Sequence, residues 1–159
     1  MQLGKLAILT LSLAVAGVTT ASAASILGPT ALALAAVVAP YSPLLSSGEK
    51  KTVAAFFAGD TNVRYAKKIS VTADKIVCQT SNVDITARSC ELTFKTGTHS
   101  LKGREANELF ATEAMAGIPP EGAAGSNFES LSKLNCTLDP KAIEQKAGGG
   151  AECSFDTGN

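Results

Sequence analysis

Tryptophan is absent from this chain of 159 residues, histidine occurs once, and charge of either sign is scarce. Charged residues form 18% of the sequence, against the roughly one quarter usual for soluble domains. The 14 Lys and Arg are matched by 14 Asp and Glu. Without a basic excess there is no electrostatic footprint for nucleic acid, and that class of partner is excluded. His99 alone supplies too few nitrogen ligands for a catalytic zinc. No D-x-[DN]-x-[DN]-G loop offers oxygens to calcium. Gly122-Ala123-Ala124-Gly125-Ser126 lacks the ending of a phosphate loop, and Gly148-Gly149-Gly150 follows a helical pattern instead of opening one. No cofactor and no metal are expected.

Hydrophobic residues reach 45%, which argues against intrinsic disorder. The length suits one domain. Lys5 is the only charge before Glu49, and an apolar run from Leu6 to Val18 follows it. Ala21-Ser22-Ala23 then places small residues at −3 and −1, as a signal peptidase requires. Residues 1–23 read as a secretory signal cut between Ala23 and Ala24. The next segment, 24–45, is apolar and rich in Ala and Pro. Pro29, Pro40 and Pro43 leave only Thr30 to Ala39 as an uninterrupted helical run, about 15 Å long and too short to span a bilayer. It is expected to be a loosely ordered arm that docks on its own domain, stays flexible, or touches a membrane through residues 26–45.

From residue 46 to 159 the pattern is that of a single folded domain. Ser46 or Ser47 caps a helix that runs to Ala58, with Val53, Phe56 and Phe57 on its apolar side and Gly59 beyond its end. Ile69 and Val71 alternate with polar residues, Ala73-Asp74 suggests a turn, and Ile76-Val77-Cys78 resumes the extended run. Cys90, Leu92 and Phe94 share one strand phase. A helix from Arg104 to Ala116 follows, with Ala106, Leu109, Phe110 and Glu113 at three-four spacing. Residues 117–127 form a loop. Leu134, Cys136 and Leu138 alternate on a strand, Asp139-Pro140 opens a short helix stapled by Leu138 and Ile143, and Ala151, Cys153 and Phe155 end on a last strand. The expected fold is α+β, a small antiparallel sheet packed by two or three helices on one face.

Cys78, Cys90, Cys136 and Cys153 are the only cysteines. An even count in an exported chain reads as two disulfides. The pairing Cys78–Cys90 and Cys136–Cys153 is preferred because each joins neighbouring antiparallel strands. Neither Cys-x-x-Cys nor paired zinc-ligand spacing occurs.

Activity is less legible. No G-x-S-x-G elbow accompanies His99, which falls beside Gly97-Thr98 and reads as a solvent-facing turn residue. Glu105, Glu108 and Glu113 read as a solvated helix face. The sequence carries only two Tyr and six Phe, few to stack on a sugar. Arg64-Tyr65-Ala66-Lys67-Lys68 reads as a solvated basic patch, and Asn135-Cys136-Thr137 fits the N-glycosylation pattern only on paper. No residue is assigned a catalytic, cofactor-binding or metal-binding role. The leading expectation is an exported, periplasmic or secreted module that binds a protein or small ligand, or serves as an inhibitor or accessory subunit. Its surface would use the 117–127 loop, the His99 turn or the apolar arm before Ser46. The alternatives are a small extracytoplasmic hydrolase using His99 or a carboxylate pair, and a membrane-tethered protein that keeps its N-terminal segment.

Overall fold

The computed structural model describes residues 22–59, 67–80, 83, 87–118, 120–121, 127–128, 131–139 and 150–157. The chain opens with strand β1 (Ser22–Leu27) and helix α1 (Gly28–Val38), followed by a 3-10 turn (Ala39–Tyr41) and helix α2 (Ser47–Phe57). Strands β2 (Ile69–Thr80), β3 (Arg88–Phe94) and β4 (Gly97–Lys102) come next, then helix α3 (Arg104–Met115). Two short strands, β5 (Pro120–Glu121) and β6 (Asn127–Phe128), pair with each other. Strands β7 (Leu131–Leu138) and β8 (Ala151–Thr157) complete the chain. Six strands form one antiparallel sheet in the order β1-β8-β7-β2-β3-β4.

Helix α1 packs on β8, β1, β7 and β2, while α3 packs on β3 and β4. The two helices touch each other, and α2 lies against α1. The core between helices and sheet takes the apolar phase of each strand, including Ile69, Leu92, Leu101, Leu134 and Phe155. The opposite sheet face follows the polar phase. There Ser25, Ser154, Asn135 and Thr72 stand in one register row across four strands. The α+β architecture is therefore as the sequence implies, with three α-helices and an antiparallel sheet among the described residues.

The expectation of a loosely ordered 24–45 arm needs correcting. Residues 24–27 are strand β1, and α1 is the most buried helix of the chain. Ala31, Leu34, Ala35 and Val38 are fully buried. The physical reason is that a helix apolar all round must be covered all round. The sheet, α2 and α3 provide that cover. Gly28, with φ at +74°, turns the chain from β1 into α1, and Pro29 begins the helix where a missing N–H costs nothing.

Helix α2 begins as its sequence dictates. Ser46 Oγ accepts from the Glu49 N–H at 3.1 Å, and Glu49 Oε1 accepts from the Ser46 N–H at 3.1 Å, a reciprocal capping box. The helix expected after Asp139 falls outside the described residues. Asp139 itself donates its N–H to the Gly150 carbonyl at 2.9 Å, tying β7 to β8.

No turn occurs at Ala73-Asp74. Strand β2 continues through it, paired with β7 from Ile69↔Leu138 to Ile76↔Leu131. What changes there is the face. Ile69, Val71 and Ala73 are buried in one phase, Ile76 and Cys78 in the other. Strand β7 shifts phase in concert, from Leu131 to Leu134, and carries a one-residue bulge against β8 between Ser132 and Asn135. The two strands bend together: Asp74 and Lys133 drop out of the pairing while the register stays the same on both sides, so the alternation breaks without a slip. At the same place β2 passes from β7, its partner over 69–76, to β3, its partner over 75–80.

Both disulfides form as preferred, Cys78–Cys90 and Cys136–Cys153. Each joins residues directly opposite one another, and the Cα atoms stand 4.1 and 4.0 Å apart. All four cysteines face the core. Cys90 Sγ lies 3.6 Å from the Ala106 carbonyl of α3, and Cys153 Sγ 3.3 Å from the Ala31 carbonyl of α1. A disulfide sulfur has no proton to donate, so these are packing contacts that seat each helix on its own bridge.

Candidate functional site

The bend in β2 and β7 opens a groove of about 380 Å³. Its floor is apolar, made of Ala73, Phe94 and Leu134, all buried. One wall comes from the connection between α1 and α2, where Pro43 and Leu44 stand over it and Leu44 is 72% exposed. Thr72, Asn135 and Thr96 also line it. Three charges stand there too: Asp74, Lys95 and Lys133.

The backbone at this rim is strained. Lys133 sits at φ +54°, the only non-glycine residue with positive φ among the described residues. A side chain bearing Cβ is disfavoured there, and such positions persist only where surrounding structure holds them. Here the bulge against β8 does so. The Lys133 ammonium reaches Asp156 Oδ2 at 3.5 Å, so part of its charge is engaged. Lys95, at the start of the β3–β4 turn, makes no ion pair among the described residues.

Beside the groove lies a second cluster. The Tyr41 ring stacks on the His99 ring with centroids 4.6 Å apart and planes tilted by 32°. Burial, then the Glu105 carboxylate by charge and as an acceptor, then the charge of Glu108, hold the Tyr41 phenol above its ordinary value. A phenol so placed stays protonated and donates; it is not an activated nucleophile. Arg104 pairs with Glu108 at 3.0 Å on the solvent side of α3.

These positions revise several sequence readings. His99 is not in a turn. It lies within β4 opposite Leu92, on the edge strand of the sheet, exposed to solvent as expected, with the Tyr41 ring stacked on one side. Glu105 and Glu108 are solvent-facing as expected, but Glu113 is not. It is 1% exposed, and its Oε2 has no hydrogen-bond partner. Burial pushes its carboxyl up to about 8. The signal was present in the sequence, since Glu113 continues the three-four stripe of Ala106, Leu109 and Phe110. Eight residues separate it from Glu105, about 12 Å of helix rise, so the three glutamates form no single site.

Of the three surfaces proposed from sequence, two converge. The β3–β4 hairpin bearing His99 and the end of the apolar arm, Tyr41 to Leu44, meet around the groove. Most of the 117–127 loop lies outside the described residues, as do the Gly122–Ser126 stretch and residues 64–66 of the basic patch; Lys67 and Lys68 are exposed. Asn135 of the glycosylation pattern sits within β7, beside bridged Cys136. No helix of the described residues is long and apolar enough to cross a membrane. Two intramolecular disulfides fit an oxidising, extracytoplasmic environment. Compared with protein families, with characterised proteins and with solved structures, the chain matches none.

Proposed function

We propose that the protein is an exported binding module, periplasmic or secreted, whose ligand is a small amphipathic molecule held in the groove at the β2–β7 bend. The observation that carries this reading is the groove itself: an apolar floor of Phe94, Leu134 and Ala73, with Lys95 at its rim in no ion pair among the described residues. Small-molecule sites commonly combine an apolar lining with a few placed polar groups and a volume of about 300 Å³ or more. A short acyl or alkyl chain suits the floor, and a monoanionic carboxylate suits Lys95 with the Thr96 hydroxyl as a donor. Asp74 on the same rim disfavours a dianionic head. Export rests on the N-terminal pattern of Lys5, the Leu6–Val18 run and Ala21-Ser22-Ala23, together with the two disulfides.

The test is a titration of isotope-labelled protein with octanoate, followed by amide chemical shifts. Saturable shifts at 72–74, 94–96 and 133–135 are expected, and Lys95→Ala weakens binding by tenfold or more. Shifts that never saturate, or that fall elsewhere, remove the groove from consideration.

A further inference from the structure

The Ala23–Ala24 bond lies inside strand β1. Ala23 is the register partner of Asp156, Ala24 of Phe155, and Ser25 of Ser154. Ala24 and Ile26 are half-buried against the core. Ile26 stands opposite Cys153, which is bridged to Cys136 and seated under the Ala31 carbonyl. The strand is thus fixed along one edge by β8 and on one face by the core. A processing peptidase takes its substrate as an extended segment with both edges and the side chains at −3 and −1 free. Strand β1 in the folded chain leaves the Ala23 side chain exposed, but its backbone is free along the outer edge alone, the other edge being held by β8.

We propose that folding closes the signal-peptidase site, so that Ala23–Ala24 is hydrolysed only before β1 pairs with β8. This rests on the reading of residues 1–23 as a secretory signal. In the cleavage, water adds its hydroxyl to the Ala23 carbonyl carbon as the C–N bond breaks. Residues 1–23 leave with a carboxylate, and the Ala24 nitrogen takes up two protons, the remaining one of the water and the one the new carboxyl gives up, to become an ammonium. The shortened chain keeps four of the six register pairs, from Ala24↔Phe155 to Leu27↔Glu152. Its new positive end forms one residue from the position opposite Asp156, the carboxylate that already holds Lys133. Once the strand is paired, cleavage must wait for local opening, so its rate falls with the population of the open form. Export and tethering then become outcomes of one competition: a chain that pairs β1 first keeps its leader.

The experiment uses full-length precursor in detergent with purified signal peptidase, read by intact mass. One sample is oxidised and folded, the other reduced and unfolded. The expected result is loss of residues 1–23 from the unfolded precursor and cleavage at least tenfold slower in the folded one. A variant with ten Gly and Ser residues inserted after Ala24 moves the bond clear of the strand, and it is cut while folded. Equal rates for the folded and unfolded wild type overturn the closure and leave the export reading intact. Protection of the insertion variant also overturns it, because the strand is then not the cause. An unfolded precursor that is never cut at Ala23 overturns the export reading, and the closure with it.

Discussion

The two ends of the sheet are built alike and finished differently. At one end the edge strand β1 turns through Gly28 into α1, which covers the β7–β8 pair and its Cys136–Cys153 bridge. At the other end the edge strand β4 turns through Gly103, φ +64°, into α3, which covers β3 and the Cys78–Cys90 bridge. Each unit is an edge strand, a positive-φ glycine, a helix and a bridged strand pair. Yet α1 carries no charged residue and is dry on every side that touches the core, whereas α3 buries Thr112 and Glu113. Among the described residues, three of the four buried side-chain atoms without a partner belong to the α3 end: Arg88 Nε, Asn107 Oδ1 and Glu113 Oε2. The fourth, Ser42 Oγ, lies in the connection between α1 and α2. A shared plan therefore does not imply shared stability. The α1 end is assembled for cohesion, and the α3 end retains polar groups whose desolvation is uncompensated.

The largest effect that would sharpen this contrast is expected at Leu34, fully buried in α1. Leu34→Ala should cost about 4 kcal/mol, measured by urea unfolding, since the sheet, α2 and α3 leave little room for collapse. A loss under about 1 kcal/mol would mean the α1 end is not the rigid one. Next comes Glu113. Its folded carboxyl, pushed up to about 8 from 4.5, binds more protons than the unfolded one between those values. Stability from this group is present in full below pH 4.5 and is lost as pH rises through about 8, by roughly 5 kcal/mol. Glu113→Gln should flatten that slope, while the α1 end stays insensitive because α1 holds no titratable group. Packed against α3, Arg88 of β3 lies 4.2 Å over the Phe110 ring. A wild-type slope unchanged in Glu113→Gln would remove Glu113 as its source. The smallest change is at the start of α2. Ser46→Ala removes half the capping box and should cost about 1 kcal/mol. Since α2 rests on α1, amide exchange should quicken there first; faster exchange confined to α3 would contradict this division of the fold.

Local chemistry was readable where a residue's role is set by its near neighbours. Ser46 and Glu49 announce their cap, and Cys90, Leu92 and Phe94 announce their face. The cysteine pairing followed from strand phase, because bridged residues on neighbouring antiparallel strands must share a face. What depended on distant partners was not readable. Ile26 and Ala24 look like part of a loose arm until β8, more than a hundred positions later, is placed beside them. Asp74 looks like a turn because a coordinated bend in β2 and β7 breaks alternation as a turn does. Glu113 lay in an apolar stripe, and its charge was allowed to outweigh its spacing. The groove has no sequence signature, since its lining comes from four separate stretches of chain, none of which carries a motif.

The pairing of β1 with β8 has a consequence for the time course of folding. The first described strand and the last are neighbours, so the sheet closes on contacts of the greatest sequence separation available, and chains of such topology fold slowly. In a chain delivered from its N-terminus, α1 arrives early and uncharged, with its cover still to come. Until residues 151–157 are present, Leu34 and Val38 face water or whatever chaperone meets them. The C-terminal strand is thus the piece on which solubility waits, and a chain stopped short of Ala151 should aggregate through α1 despite having every residue of that helix in place.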